Sequence, residues 1–361
     1  MKTTYSMQNP EERAAKFEAE LVQTLPNLLP SLRISRIRRQ QRIGPLDVDL
    51  VLDVSTPLGR RRRIYVEIKL AATPSRIREG LRQFKALIPN QRHAYPVLAS
   101  TFLGPRAREI CREEGFGYLD LAGNCFLQFE DLYLERIVDK NPFPRPGRPS
   151  SLFTPVSSRI LRALLEEPVR TWKVGELAQA AQVSLGQTSN VCRRLLGEDY
   201  VVKFQGRIQS NQAGKLLDAW REQYTLAKNT QVAYYSFERE PEQLMARLAA
   251  TADPRQWRYA VTSFAAAFLV APFVRGIGTV AWYVDGAATI DTWVKALDLR
   301  PAEAGPNVIL LVPYDVGVFY RTQSVNSIAL VGNVQLYLDL YGDPGRGREQ
   351  AEFLRKEKLG F

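Results

Sequence analysis

The stretches Asp47-Val-Asp-Leu-Val-Leu-Asp-Val54 and Arg63-Ile-Tyr-Val-Glu-Ile-Lys-Leu70 decide how this chain reads. Successive side chains of a β-strand point to opposite faces, so residues two apart share one. In the first stretch Val48, Leu50, Leu52 and Val54 take one face, and Asp47, Asp49 and Asp53 take the other. In the second, Ile64, Val66, Ile68 and Leu70 share a face, which leaves Tyr65, Glu67 and Lys69 together opposite them. Between the two, Gly59-Arg-Arg-Arg-Arg63 reads as a basic hairpin connection. If the strands pair, an acidic residue of the first stands beside Glu67 and Lys69. Two carboxylates there can hold a hard cation that prefers oxygen ligands, and such a cation polarises a phosphate and activates water. A lysine beside them can orient or deprotonate that water.

Helices flank the pair. Pro10 opens a helix over 10–25, with Ala14, Phe17, Leu21, Val22 and Leu25 on one face. A second helix over 75–88 turns Ile77, Leu81, Phe84 and Leu87 inward and Arg78, Arg82 and Lys85 elsewhere. An Asp on one strand, Glu-x-Lys on the next and a helix after them resembles the PD-(D/E)xK, or restriction-endonuclease-like, superfamily. The resemblance implies an α/β/α fold over residues 1–142, with Asp49, Glu67 and Lys69 as the catalytic set. Where such a site is active, it also implies Mg2+ held by Asp49 and Glu67, with Lys69 positioning the attacking water. Glu20 is the choice for the further acidic residue that superfamily members often carry on the first helix. Three readings stay open: a solvated strand face with a Glu–Lys pair, this fold without cleavage, and an active nuclease. Gly115-Phe-Gly-Tyr-Leu-Asp-Leu-Ala-Gly-Asn-Cys125 fits no phosphate fingerprint and reads as a tight strand-to-turn corner.

A length of 361 residues points to two or three domains, and 45% apolar with 24% charged residues is globular composition. Forty-nine Lys and Arg against 38 Asp and Glu leave a net charge of +11, which favours an anionic partner. Residues 1–100 alone carry +9, from 18 basic against 9 acidic side chains. The single histidine, His93, excludes a multi-histidine metal centre, and a Ser–His–Asp triad unless it is the base. Cys111, Cys125 and Cys192 form no CxxC and read as buried reduced thiols of a cytoplasmic protein. No apolar region follows Lys2 as a signal peptide would require, and the longest apolar run, 264–274, is interrupted by Pro272. A membrane span needs ~20 residues, so a soluble chain with no membrane partner is expected. The segment from Asn141 to Ser151 holds four prolines and reads as an extended linker. The expected division is 1–142, a linker over 143–152, then 153–222 and 228–361.

Residues 158–208 follow a helix–helix–helix–wing plan. Ile160, Leu161, Leu164 and Leu165 mark a first helix stopped by Pro168, and residues 172–181 a second with Val174, Leu177 and Ala178 apolar. Val183-Ser-Leu-Gly-Gln-Thr-Ser-Asn-Val-Cys-Arg-Arg-Leu-Leu196 is the third, N-capped by Ser184. Thr188, Val191, Cys192 and Leu195 fall on one of its faces, and Gln187, Asn190, Arg193 and Arg194 on the other. Residues 200–210 read as a two-stranded wing carrying Lys203, Gln205 and Arg207. Amide side chains near the start of such a helix can read adenine edges, while Arg and Lys take phosphates. The pattern VxELAxxAxVSxGxxSxVxRRL resembles bacterial winged helix-turn-helix regulators. It implies double-stranded DNA binding through Gln187, Asn190, Arg193, Arg194, Lys203 and Arg207. In the N-terminal domain the basic run Arg60, Arg61, Arg62 and Arg63 is separately expected to add phosphate contacts. A helix-turn-helix used only for protein contacts is the alternative.

Beyond residue 228 helix-like and strand-like runs alternate, with an Ala-rich buried helix over 259–274, strands over 279–284 and 308–312, and helices over 290–299, 334–341 and 348–358. An α/β interaction or ligand-sensing domain is expected. NVQLYLDLYGDPGRGREQAEFLR, with YAVTSFAAAFLVAPFV upstream, resembles the C-terminal part of AbiEi-like antitoxins of type IV toxin–antitoxin systems, over roughly 155–361. That resemblance implies a winged helix that represses its operon and a nucleotidyltransferase-like toxin as partner; a homodimer stays open. The nuclease-like N-terminal domain departs from the short antitoxins. The whole reads as a multidomain α/β DNA-binding transcriptional regulator. Its alternatives are a Mg2+-dependent DNA endonuclease targeted by the winged helix and an interaction protein that neutralises a toxin.

Overall fold

The computed structural model describes residues 10–43, 46–70, 74–87, 94–129, 131–138, 140–143, 152–302 and 304–361. They form two compact units, Met1–Ser150 and Ser151–Phe361. The expected linker over 143–152 lies, apart from its two end residues, outside the described residues, as does His93.

The first unit runs α1 (Pro10–Leu28), β1 (Arg33–Ile43), β2 (Leu46–Ser55), β3 (Arg61–Ile68), α2 (Pro74–Leu87), β4 (Ala94–Ser100), α3 (Pro105–Glu113), β5 (Gly117–Asp120), β6 (Cys125–Phe129) and β7 (Leu132–Arg136). Its seven strands make one mixed sheet in sequence order. β3, β4 and β5 are parallel, because α2 and α3 carry the chain back between them. Apolar side chains of α1, namely Phe17, Leu21 and Leu25, pack with Leu50, Leu52, Ile64 and Val66. Ile77, Leu81 and Phe84 of α2 and Ile110 of α3 pack with Val51 and Tyr65 in a second core. Helices thus cover both faces of the sheet. Ala14, expected inside, is exposed. The glycine-rich segment forms β5, a turn with Gly123 at φ 106°, and β6. A side chain at Gly117 would strike Tyr95, Leu127 and the Phe126 carbonyl, all under 3 Å away.

The second unit begins with α4 (Pro155–Glu166), α5 (Val174–Ala181), α6 (Leu185–Gly197), the hairpin β8 (Val201–Phe204) and β9 (Arg207–Ser210), and α7 (Ala213–Arg221). It continues with β10 (Thr230–Tyr235), α8 (Pro241–Ala252), β11 (Tyr259–Thr262), α9 (Ser263–Val270), β12 (Val280–Val284), α10 (Ile290–Leu297), β13 (Arg300–Pro301), β14 (Val308–Val312), β15 (Gln323–Val325), β16 (Ile328–Leu330), α11 (Asn333–Tyr341) and α12 (Gly347–Leu354). The larger sheet has the order β13-β10-β14-β12-β11-β16-β15.

Two expectations fail here. The second helix was expected to start at Trp172, yet Trp172 is bridged to Ile208 by two backbone hydrogen bonds of 2.7 Å, and α5 starts at Val174. The Ala-rich run 259–274 is not one helix. Its first four residues are β11, buried between β12 and β16, and Ser263 at φ 56° turns the chain into α9.

The expected break between 153–222 and 228–361 does not separate two bodies, because one hydrophobic core runs through both. A buried polar chain crosses the same boundary. Arg162 of α4 donates through Nε (3.0 Å) and Nη2 (2.5 Å) to Gln335 Oε1 of α11. Gln335 Nε2 donates to Asp339 Oδ1 at 2.7 Å, and Asp339 also accepts from Tyr224, Thr262 and Tyr283. Arg159 grips the buried Asp315 through Nε and Nη2. Among the described residues no helix is long and apolar enough to cross a membrane.

Candidate carboxylate site and nucleic-acid interface

Asp49, Glu67 and Lys69 come together where β2 and β3 run antiparallel. Leu50 pairs with Val66, and Asp49 Oδ2 accepts the Ile68 N–H at 2.6 Å. Lys69 Nζ stands 2.7 Å from Glu67 Oε1. Gly80 of α2 gives that lysine room, since a Cβ there would lie 3.3 Å from Lys69 Cε. Burial raises the Asp49 pKa, opposed by the Ile68 N–H and the Lys69 ammonium. Burial also raises the Glu67 pKa; the Lys69 pair opposes this and the Asp49 charge adds to it. Half-desolvated carboxylates in mutual reach favour a cation between them. Among the described residues no group of three or more His, Cys, Asp or Glu is placed to hold a metal ion. A pair of carboxylates still fits Mg2+, which keeps several waters and needs only one or two from the protein.

Strand alternation breaks down at this point. Val48 packs with Val51 and Tyr65, not with Leu50 and Leu52 as the simple period requires. Arg39 pairs with Leu50 and Gln41 with Val48, so Gln40 is level with Asp49. Gln40 itself has a left-handed φ of 45°, so β1 departs from regular strand geometry at the level where Val48 and Leu50 enter different cores.

Of the acids on α1, Glu18 is the one whose electrostatics involve Asp49, where Glu20 was the expected choice. Burial raises the pKa of Glu18, Arg39 at 3.3 Å opposes this, and the charge of Asp49 adds to it. Glu20 lies two positions on, about 200° round the helix. Proximity of Glu18 to the Phe17–Leu21 stripe was the signal available.

The basic run is also differently placed. Only Arg60 belongs to the turn, where Gly59 has φ 77°, while Arg61, Arg62 and Arg63 lie inside β3. Arg63 donates to Asp53 at 3.0 Å, and Arg60 stands 3.9 Å from Asp131. The β2–β3 hairpin forms as expected, but its connection carries only Arg60 of the run.

In the second unit α6 has the two faces expected. Thr188, Val191, Cys192 and Leu195 are buried, and Gln187, Asn190 and Arg193 are exposed. Ser184 caps the helix by accepting the Gln187 N–H at 3.4 Å. Arg193 Nη1 donates to Asn190 Oδ1 at 3.0 Å, holding that amide on the outer face. Arg194 is half-buried. In the hairpin Lys203 is exposed and Phe204 is 71% exposed, next to a turn with Gln205 and Gly206 at positive φ. Arg207, also expected to contact DNA, has protein partners. Its Nη2 donates to the Thr171 carbonyl (3.0 Å) and to Glu176 Oε2 (2.9 Å), pinning the hairpin to the start of α5.

At the end of α4, Glu166 Oε1 accepts the Val334 N–H at 2.8 Å, acting as the N-terminal cap of α11. Burial pushes its pKa up to about 7, against the pull of that N–H and of Arg162 and Arg321. A carboxyl whose folded pKa exceeds its unfolded value stabilises below about pH 4.5 and loses that contribution as pH rises through about 7. Glu166→Gln keeps the acceptor without the charge. The variant should unfold later than wild type at pH 8, by up to about 3 kcal/mol, and match it at pH 4. Denaturant titrations at both values check this; equal stability at pH 8 would contradict it.

Residues 209–359 match the family model described as "Transcriptional regulator, AbiEi antitoxin, Type IV TA system". The match begins inside β9, after α6. Two solved structures are similar, a repair endonuclease from Pyrococcus abyssi and an EndoMS–double-stranded DNA complex, each at 15% identity over 33% of this chain, with TM-scores of 0.23 and 0.22. The chain spans about half the length of those proteins (49% and 48%). At such TM-scores the likeness defines neither fold nor activity. No curated protein matches the chain.

Proposed function

We propose that this chain is a DNA-binding transcriptional regulator of the type IV antitoxin kind. In this reading α4, α5, α6 and the β8–β9 hairpin are a winged helix that docks α6 in the major groove of duplex DNA. Gln187 and Asn190 read base edges, and Arg193, Arg194 and Lys203 hold phosphates. The observation that carries the reading is α6 itself, with a buried apolar face and an outer face of two amides and an arginine, on a helical core fixed to the rest of its unit. The antitoxin match over 209–359 supports it. A nucleotidyltransferase-like toxin is the proposed protein partner, the cytoplasm the proposed compartment, and the first unit a further source of phosphate contacts. Binding of the full chain to the DNA upstream of its own coding sequence, in a gel-retardation assay with competitor, tests this. A band no more resistant to competitor than that of unrelated DNA would contradict it.

The carboxylate geometry favours a second reading, a restriction-endonuclease-like domain that cleaves DNA. Asp49 and Glu67 would hold Mg2+, which when bound supplies positive charge to the phosphate and a more acidic water. Lys69 would position that water and offset phosphate charge. Glu67→Ala should then abolish nicking of supercoiled plasmid in Mg2+ or Mn2+ and leave DNA binding intact or slightly stronger, since a negative charge facing phosphate is lost. Equal nicking by wild type and variant would remove this reading.

A further inference from the structure

We infer that β1 is a rail along which the backbone of duplex DNA lies, leading it across the Asp49 end of the first unit. The inference rests on the DNA-binding reading above and adds a surface to it. β1 is an edge of its sheet, eleven residues long, with five arginines and no acid. Two of the arginines are neutralised from neighbouring elements, Arg38 by Asp53 at 2.8 Å and Arg39 by Glu18 at 3.3 Å. Arg33, Arg36 and Arg42 are exposed and form no ion pair among the described residues, although Asp47 is level with Arg42. Arg61 of β3 is level with Arg33 across Ser55, about 10 Å away at two strand spacings.

The dimensions suit a duplex. From Arg33 to Arg42 the strand covers about 30 Å at ~3.3 Å per residue, close to one helical turn of roughly 34 Å. A backbone following that line passes Gln40, the residue level with Asp49. Arginines without an ion pair among the described residues flank that point on both sides, and Glu67 on β3 lies about 10 Å further in, at two strand spacings. Charge on an exposed edge strand also deters strand-to-strand pairing between molecules, but that role alone would leave DNA affinity untouched when the charge is removed.

The test compares three full-length proteins on one duplex of about two turns, by fluorescence anisotropy at several salt concentrations. They are wild type, a combined Arg33→Gln, Arg36→Gln, Arg42→Gln variant, and a control with Arg239→Gln, Arg247→Gln and Arg300→Gln. The control removes the same charge from exposed positions that have no part in the rail. Each lost phosphate contact flattens the slope of log K against log salt by about 0.9, so the β1 variant should be flatter by about 2 to 3 and the control unchanged. All three positions are exposed, so thermal unfolding of the variant should match wild type. Identical slopes for wild type and the β1 variant, with wild type binding well, would overturn the rail and leave the winged-helix reading standing. Equal flattening in the control would also overturn it, by reducing the effect to net charge. Absence of binding by wild type would bring down both.

Discussion

Replacing Asp339 by alanine is expected to destabilise the second unit by about 4 kcal/mol, the largest effect of any single change considered. The carboxylate is fully buried and accepts hydrogen bonds from Tyr224 (2.5 Å), Thr262 (2.5 Å), Gln335 (2.7 Å) and Tyr283 (3.1 Å). Alanine would leave these buried donors short of an acceptor. Each such orphaned group costs roughly 1–3 kcal/mol, partly relieved where Gln335 also donates to Tyr224. Burial raises the Asp339 pKa and the four donors oppose that rise. All five tryptophans lie in this unit, and a urea titration followed by their fluorescence reads its unfolding without interference from the first. An unchanged midpoint would show that the network is dispensable.

The second large effect is on recognition. Gln187→Ala with Asn190→Ala should weaken binding to the preferred DNA sequence by about 10³-fold, from ~2 kcal/mol for each lost amide contact. Binding to unrelated sequence should hardly change, because phosphate contacts set it. Arg193→Ala should act differently. It frees Asn190 from its 3.0 Å tether and removes a phosphate contact, so binding to every sequence falls and the salt slope flattens. Sequence preference and salt slope thus separate the two kinds of residue on one helix face.

Much of the architecture was legible where side-chain period and burial agree. Thr188, Val191, Cys192 and Leu195 fall three or four apart and all four are buried. Leu50 and Val66 alternate correctly and pair. The reading failed where a neighbour supplied the decisive contact. Trp172 looks helical in a run leading into α5, yet pairs with Ile208 far along the chain. Nothing within β2 announces that Val48 leaves the face of Leu50, at the level where Gln40 on the adjacent strand is left-handed. β1 went unread altogether, since Arg-rich polar sequence hides the two residues, Ile34 and Ile37, that anchor it to the α1-side core. That strand also changed the picture of the charge. Arg33, Arg36 and Arg42 on its open edge form no ion pair among the described residues, while Arg60 and Arg63 of the more obvious run face acids.

The grouping of Asp49, Glu67 and Lys69 is legible in the sequence, and its detail is not. Glu67-x-Lys69 places both side chains on one face by period alone, and the 2.7 Å pair follows. Which acid of α1 comes into electrostatic reach of Asp49 depends on the helix's rotation about its own axis, which sequence constrains only loosely. The ion pair of Arg207 with Glu176 is not legible in sequence, because the two become neighbours only when the hairpin folds back on α5. Likewise the joint between α4 and α11 rests on Arg162 and Gln335, far apart in sequence.

The central claim is sequence-selective duplex binding through α6. It is tested most directly by selecting the preferred site from random duplexes with the full chain, then measuring affinity for that site and for a scrambled one with wild type and the Gln187→Ala, Asn190→Ala protein. The expected result is a wild-type preference of at least about 10³-fold, reduced nearly to parity in the variant with the scrambled affinity unchanged. No enriched sequence, or a preference that survives the loss of both amides, would contradict it.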